Sequence, residues 1–269
     1  MSVHASGSRP TFAAMSDLDQ AICPLSIVPV RREPNDRAEQ VTQWLFGETA
    51  DVLERNANWT RLRFHHDDYE GWVDNKQMSL AQDGVDLKPV RSIEQFMHVN
   101  TAAGAMVMPF GAVLPAYSAG QFDIGAERLA FPGRTTAQPN GTPVMRMLAV
   151  KDQWLNTPYL WGGRSPFGVD CSGLTQMLFL VGGLKLPRDA WQQSELGTAV
   201  DLIDLATTGD LAFFDNEEGR IVHVGIILEK RRILHASGRV RIDSIDHQGI
   251  FNTAEKKYTH KLRMVKRVV

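Results

Sequence analysis

Cysteine is scarce in this chain: 269 residues carry two, Cys23 and Cys171, far apart and in no metal-ligand spacing. That argues against a disulfide framework as the organising device. Strong charge is missing too. A formal net charge of -2 offers no general attraction to nucleic acid or to an anionic membrane, so a charged partner has to be recognised locally. The basic run Lys230-Arg231-Arg232 is too short to change this and reads as a solvated hairpin tip. No apolar run approaches the roughly 20 residues needed to span a bilayer. The opening stretch, MSVHASGSRPTFAAMSDLDQ, lacks the apolar core of about 7–15 residues that a secretory signal requires. These absences predict a cytoplasmic protein with no nucleic-acid and no membrane partner.

What is present is ordinary globular composition, with 43% hydrophobic residues, enough for a core without staples. Its distribution changes along the chain. Residues 1–20 have few large apolar side chains and are expected to be disordered. Residues 21–84 read as short strands, SIVPVRR, TADVLERN, WTRLRFH and EGWVDNKQM, bounded by turn residues, which is the pattern of a small barrel. Residues 85–140 are similar but richer in Gly, Ala and Pro; they suggest a second barrel followed by a linker at FPGRTTAQPNGTP. From 141 to 269 the text changes to helical spacing in VMRMLAVKDQWL and LTQMLFLVGG. The β-rich runs DLAFFDN, IVHVGIILE, RILHAS and VRIDSI follow. Helices first and then an antiparallel sheet make an α+β domain.

Cys171 lies in PFGVDCSGLTQ, at the start of the second helical segment. A helix start offers the positive end of the dipole and free N–H groups, which stabilise a thiolate and lower its pKa. The same N–H groups can hold the oxyanion formed when the thiolate attacks a carbonyl. A small buried hydrophobe is the competing reading of a lone cysteine; the glycine-rich approach WGGRSPFG favours the nucleophile. Cys23 has no activating neighbour and is assigned to packing.

A thiolate needs a base. In IVHVGIILEKRRILHAS, alternation puts His223 and Gly225 on one strand face and His235 on the matching face of the next strand. An odd-length turn around residues 229–232 or a bulge would bring the two imidazoles together, one as base and the other as its orienter. A pair of satisfied core histidines is the alternative. Gly225 is read as leaving room for a ligand.

PYLWGGRSPFGVDCSGLTQ, LPRDAWQQ, GDLAFFDN, HVGIIL and ILHASG occur in that order and resemble the successive motifs of the NlpC/P60 cysteine peptidases. AEQVTQWLFGE and YEGWV resemble bacterial SH3 domains. The combination is similar to the γ-D-glutamyl-L-diamino-acid endopeptidases. The resemblance implies a papain-like α+β catalytic domain preceded by one or two small SH3-like β-barrels. It implies Cys171 as nucleophile, His223 as base and His235 as its orienter, with no metal and no organic cofactor. The implied substrate is a murein peptide, cut between γ-D-Glu and the diamino acid after a free N-terminal L-Ala. Its amine would be met by Asp170 and Asp189, with backbone at Ser172, Tyr69 of the first barrel and, as a weaker candidate, Glu39. Trp161 would wall the cleft. Asp189 is equally a helix N-cap with Arg188 as a surface partner, Tyr69 a barrel aromatic and Trp161 a core residue. Two other functions compete: amidase or acyl-transfer chemistry at the same site, and wall binding on a decayed catalytic scaffold.

Overall fold

The structure, a computed structural model, describes residues 19–81, 89–137 and 139–269. Of the expected disordered N-terminus, residues 1–18 lie outside the described residues, as does the expected boundary at residue 84, while Gln20 already belongs to a paired strand.

The first unit is an antiparallel sheet of β1 (Gln20–Ile22), β2 (Ile27–Arg31), β3 (Gln40–Leu45), β4 (Thr49–Arg55), β5 (Trp59–Phe64), β6 (Glu70–Asp74) and β7 (Ser79–Leu80). Its strands run in the order β3-β2-β6-β5-β4-β1-β7. Alternation decides which side is buried: in β5, Thr60, Leu62 and Phe64 face inward while Arg61 and Arg63 face water. The core comprises Val28, Val30, Trp44, Leu62, Phe64 and Cys23. The Cys23 thiol donates to the Leu25 carbonyl at 3.2 Å, a packed and inert position.

The second unit departs from the expected barrel. It consists of two separate hairpins, β8 (Phe96–Thr101) with β9 (Gly104–Pro109) and β10 (Gln121–Ile124) with β11 (Glu127–Ala130). Pro109 and Pro115 lack the N–H that a continuing ladder would need. The hairpins close over Val99, Met108, Phe122 and Phe131 together with Phe46, so a side chain of the first unit completes the core of the second.

The third unit opens with α1 (Pro143–Val150), whose N-cap Thr142 accepts from the Met145 N–H at 3.3 Å. A two-residue hairpin, β12 (Arg164–Ser165) and β13 (Gly168–Val169), leads into α2 (Cys171–Gly182). Gly183 ends that helix in the left-handed conformation, φ 85°. The short α3 (Ala190–Gln193) follows, and then β14 (Thr198–Val200), β15 (Leu211–Asp215), β16 (Ile221–Leu228), β17 (Arg232–Ser237), β18 (Arg239–Ile245), β19 (Gly249–Asn252) and β20 (Lys257–Arg267). The sheet order is β14-β20-β15-β16-β17-β18-β19, and β19 also pairs with β20. Strands β15 to β20 therefore close into a barrel. Its outer face, with Val224, Ile226 and Leu234, packs against Leu174, Leu178 and Val181 of α2. Phe214, Ile227, Ile233, Ile250 and Val265 fill the other face. Among the described residues no helix is long and apolar enough to cross a membrane.

One buried carboxylate joins all three units. Glu48, in the turn between β3 and β4, accepts from Arg91 Nη1 at 2.9 Å and from Arg164 Nη1 at 3.1 Å, and all three side chains are buried. Burial alone would raise the Glu48 carboxyl. The positive charges of Arg164, His66 and Arg91 outweigh burial and hold it at about 2. A carboxyl depressed on folding stabilises the fold above its unfolded value near 4.5, and that stabilisation is lost as pH falls through about 2. Glu48→Ala would leave two buried guanidiniums unmatched and should cost about 3–5 kcal/mol at neutral pH. Urea unfolding monitored by tryptophan fluorescence measures this. A loss below about 1 kcal/mol would show that the three units are held by other contacts.

Candidate active site

Cys171 is the first residue of α2, and Asp170 is its N-cap. The Asp170 carboxylate accepts from the Gly173 N–H at 2.7 Å and from the Gly162 N–H at 2.8 Å. It also pairs with Arg188, Nη1 to Oδ1 at 3.0 Å and Nη2 to Oδ2 at 2.5 Å, the bidentate geometry that guanidinium favours. Arg188 is 1% exposed, not the surface partner of Asp189 expected from the sequence. Its remaining donors reach Ser172 Oγ at 2.9 Å and Thr42 Oγ1 of β3 at 3.0 Å. Asp170 and Ser172 are thus buried and engaged with the protein.

The expected lowering of the Cys171 thiol is reversed. Burial pushes it up to about 12, and the Asp170 charge adds to this. Hydrogen bonds from the Val224 and Ser172 backbone and the charge of Arg188 pull the other way without prevailing. The helix start supplies its dipole, but full desolvation is the larger effect. Since Val224 follows His223 in β16, the thiol rests against the strand that carries this histidine.

His223 and His235 meet. Strand β17 pairs with β16 so that His235 lies opposite Gly225 and Leu228 opposite Arg232, a three-residue turn. His223 is therefore the diagonal neighbour of His235, and its Nε2 lies 2.9 Å from His235 Nδ1. Gly225 leaves no room for a ligand. A Cβ there would stand 2.7 Å from Ile233 Cδ1 and 3.0 Å from His235 Cβ, so the glycine admits the His235 side chain itself. His235 Nε2 continues to Asp243 Oδ2 at 3.1 Å, and Arg241 holds that carboxylate at 2.9 Å. Although burial opposes it, hydrogen bonds from His235 and Arg241 keep Asp243 below the usual carboxylate range. Burial, then the neighbouring His260 and His235, hold His223 well below the usual imidazole value. A neutral imidazole with one nitrogen tied to a carboxylate-anchored partner can accept a proton at the other.

Sequence reasoning missed Asp243, Arg241 and His260. The first two were within reach: Arg241 is the register partner of His235 and Asp243 that of Ile233, so extending the hairpin by one strand places both beside the histidines. His260 comes from β20 and stacks on His223, ring centroids 4.1 Å apart. Nitrogens of His223, His235 and His260 lie within 4.8 Å of one another, a distance that a metal site also shows. Two of the three, His223 and His235, share a hydrogen bond.

The other predicted residues form two pairs. The Tyr69 hydroxyl donates to Asp189 at 3.4 Å, across from the first barrel to the N-cap of α3. Burial pushes the Asp189 carboxyl up, with Arg188 pulling down, and burial with the Asp189 charge pushes Tyr69 up to about 12. Trp161 is not a core residue. It is 60% exposed and donates from Nε1 to Glu39 Oε1 at 2.7 Å, while Gln40 Nε2 donates to its carbonyl at 3.1 Å. Gly162 follows because a Cβ there would strike the Gln40 carbonyl. A cavity of about 1360 Å3, lined by Cys23, Glu48, Arg91 and Lys185 among others, lies at the junction of the three units. None of Cys171, His223 or His235 lines it.

Residues 156–262 match the NlpC/P60 family, and residues 30–78 match the bacterial dipeptidyl-peptidase Sh3 domain. The chain is 31% identical over 219 residues to a γ-D-glutamyl-L-lysine dipeptidyl-peptidase of Bacillus subtilis, covering 72% of this chain and 71% of the relative. The chain belongs to the NlpC/P60 family. With that membership comes classification as a cysteine peptidase among the hydrolases. A γ-D-glutamyl-L-lysine dipeptidyl-peptidase of Bacillus cereus is 26% identical over 72% of this chain and 66% of its own length. In fold, the crystal structure of an NlpC/P60 family protein from Bacillus cereus superimposes with a TM-score of 0.78 at 20% identity, covering 93% of this chain and 99% of that one.

A thiol raised by burial is not a standing thiolate. Alkylation of Cys171 by iodoacetamide should therefore accelerate about tenfold per pH unit from about pH 6 to pH 9, with Cys23 untouched in the folded protein. Peptide mapping of the labelled chain provides the measurement. A fast, pH-independent rate near pH 5 would reveal a preformed thiolate–imidazolium pair instead.

Proposed function

We propose that the peptidase activity of this NlpC/P60 chain is hydrolysis of the bond between γ-D-Glu and a diamino acid in murein peptides that carry a free N-terminal L-Ala. The reading rests foremost on the 2.9 Å contact of His223 with His235, set beside the buried thiol of Cys171. The names of the two Bacillus relatives supply the bond class.

In this mechanism His223 takes the Cys171 proton as sulfur attacks the γ-glutamyl carbonyl. His223 Nε2–H donates to His235 Nδ1, and His235 Nε2–H donates to Asp243, so the imidazolium forms against a fixed dipole and a fixed charge. N–H groups at the start of α2 receive the oxyanion. The proton passes from His223 to the departing amine, which leaves a thioester on Cys171. Water, deprotonated by His223, then attacks the thioester and releases the γ-glutamyl carboxylate and the free thiol.

Specificity for a free amine is assigned to Asp189 with Tyr69. Asp170 already meets a guanidinium, whereas Asp189 is half-buried and receives a Tyr69 hydrogen bond, which leaves acceptor capacity for a cation. Glu39 and Trp161, joined by their hydrogen bond, are assigned to the wall of the cleft. A requirement for a free amine suits peptides already released from muramic acid, and with it a role in cytoplasmic recycling.

His223→Ala should lower kcat by about 10²–10⁴-fold with the fold intact. His235→Asn should be milder, since the amide oxygen can still accept from His223. Wild-type turnover in His223→Ala would remove the base from this scheme.

Acetylation of the L-Ala amine removes the charge that Asp189 would meet. It should reduce kcat/KM for L-Ala-γ-D-Glu-diaminopimelate by about 2 kcal/mol or more, roughly 30-fold. Asp189→Asn should shrink the difference between the two peptides. Equal cleavage of both by the wild type would mean that the cleft is open beyond Asp189 and does not select the amine.

A further inference from the structure

His260 stands outside the hydrogen-bonded line from His223 to Asp243, yet it covers that line. The closing strand β20 delivers its ring onto His223 with planes 25° apart. The same ring meets His235 edge-on at 5.7 Å, and Phe214 packs against both His223 and His260 at 5.7 and 5.9 Å. His223 is 5% exposed, and the stacked His260 imidazole covers one face of its ring. Thr259 Oγ1 lies 2.9 Å from His260 Nδ1 and steadies the ring from its own strand.

We propose that His260 is a positioning residue: its ring excludes water from the face of His223, so that the base stays neutral until it takes the Cys171 proton. The proposal rests on the reading of His223 as the general base. Desolvation disfavours the charged form of an imidazole, so the covered ring is ready to accept a proton at neutral pH. When the imidazolium forms, the adjacent ring must itself be neutral, since two stacked cations would repel strongly. The titratable and charged groups facing the pair are His235 from β17 and Asp243 from β18 with Arg241 behind it, while β15 contributes Phe214 and β19 contributes Ile250, the register partner of His260. Burial and His235 hold His260 down to about 4, with Asp243 opposing. The cover is therefore uncharged throughout the neutral range.

The sign follows from solvation. Without the ring, water reaches the His223 imidazolium and stabilises it, so His223 protonates at higher pH and activity is lost earlier as pH falls. Two variants separate cover from titration. His260→Ala removes the ring; His260→Phe keeps an aromatic face with no titrating nitrogen. The acid limb of kcat/KM against pH on L-Ala-γ-D-Glu-diaminopimelate should move up by about one pH unit in His260→Ala and stay in place in His260→Phe. The ¹³Cε1 resonance of His223, followed by NMR in the Cys171→Ala background, should titrate with the same pattern and requires no turnover. An unmoved His223 titration in His260→Ala, or an equal shift in both variants, overturns the proposal. A loss of melting temperature or kcat with the pH profile unchanged does the same, because that is what a merely structural ring would produce. If the wild type fails to cleave the peptide, the assigned reaction falls, and the NMR titration alone decides the role of His260.

Discussion

The buried pair of Asp170 and Arg188 is the constraint on which the site depends. One carboxylate caps α2 through Gly173, holds the preceding loop through Gly162 and meets a guanidinium twice. That guanidinium then reaches Ser172 and Thr42. A buried ion pair is tolerable when its desolvation is offset by good geometry and further hydrogen bonds, and here each partner has them. The position of Cys171 follows, since it is the residue directly after the cap. So does its chemistry. The negative member of the pair is adjacent in sequence and opposes thiolate formation, the positive member favours it, and burial exceeds both. The helix start alone therefore does not ionise the sulfur.

The first barrel is built into the same constraint. Thr42 of β3 receives Arg188, Gln40 touches the Trp161 carbonyl, and Asp67 accepts from Gln176 of α2 at 2.9 Å. Glu48 binds arginines from the other two units. A tethered module would keep its polar contacts at an exposed rim. These contacts are largely buried, so the barrel is a wall of the catalytic unit, and the Tyr69–Asp189 contact is a consequence of that docking.

The site was legible in the sequence where chemistry follows local periodicity. The start of α2 is visible from Asp170-Cys171 followed by helical spacing, and His223 and His235 are visible from alternation and a short turn. What was not legible depends on pairing at long range. His260 lies in KYTHKLRMVKR, a strand whose alternation is readable from His260 to Met264 but whose place beside β15 and β19 no local pattern announces. Arg188 looks like a surface charge next to Asp189 because nothing nearby in the chain foretells an ion pair 18 residues back. The direction of the Cys171 shift fails for the same reason: the dipole is a property of the helix, while burial is a property of everything packed around it. The second unit resembles a barrel in composition, but its described residues form two separate hairpins.

Two acids, Asp170 and Asp189, adjoin Arg188 and differ by environment alone. Asp170 is 6% exposed and its oxygens face two N–H groups and two guanidinium nitrogens. Further positive charge would find no lone pair free and no compensation for its own desolvation. Asp189 caps the short α3, stays half-buried and has Tyr69 as its neighbour from the first barrel. Burial without full pairing pushes its carboxyl up, which is the condition of a group that gains by meeting a cation. An ammonium arriving there would supply the missing charge, whereas a neutral amide would leave the acid as it was. The structural acid and the acid proposed for recognition are thus separated by hydrogen-bond saturation, a property that residue type cannot express and that only the docked barrel and the buried guanidinium create.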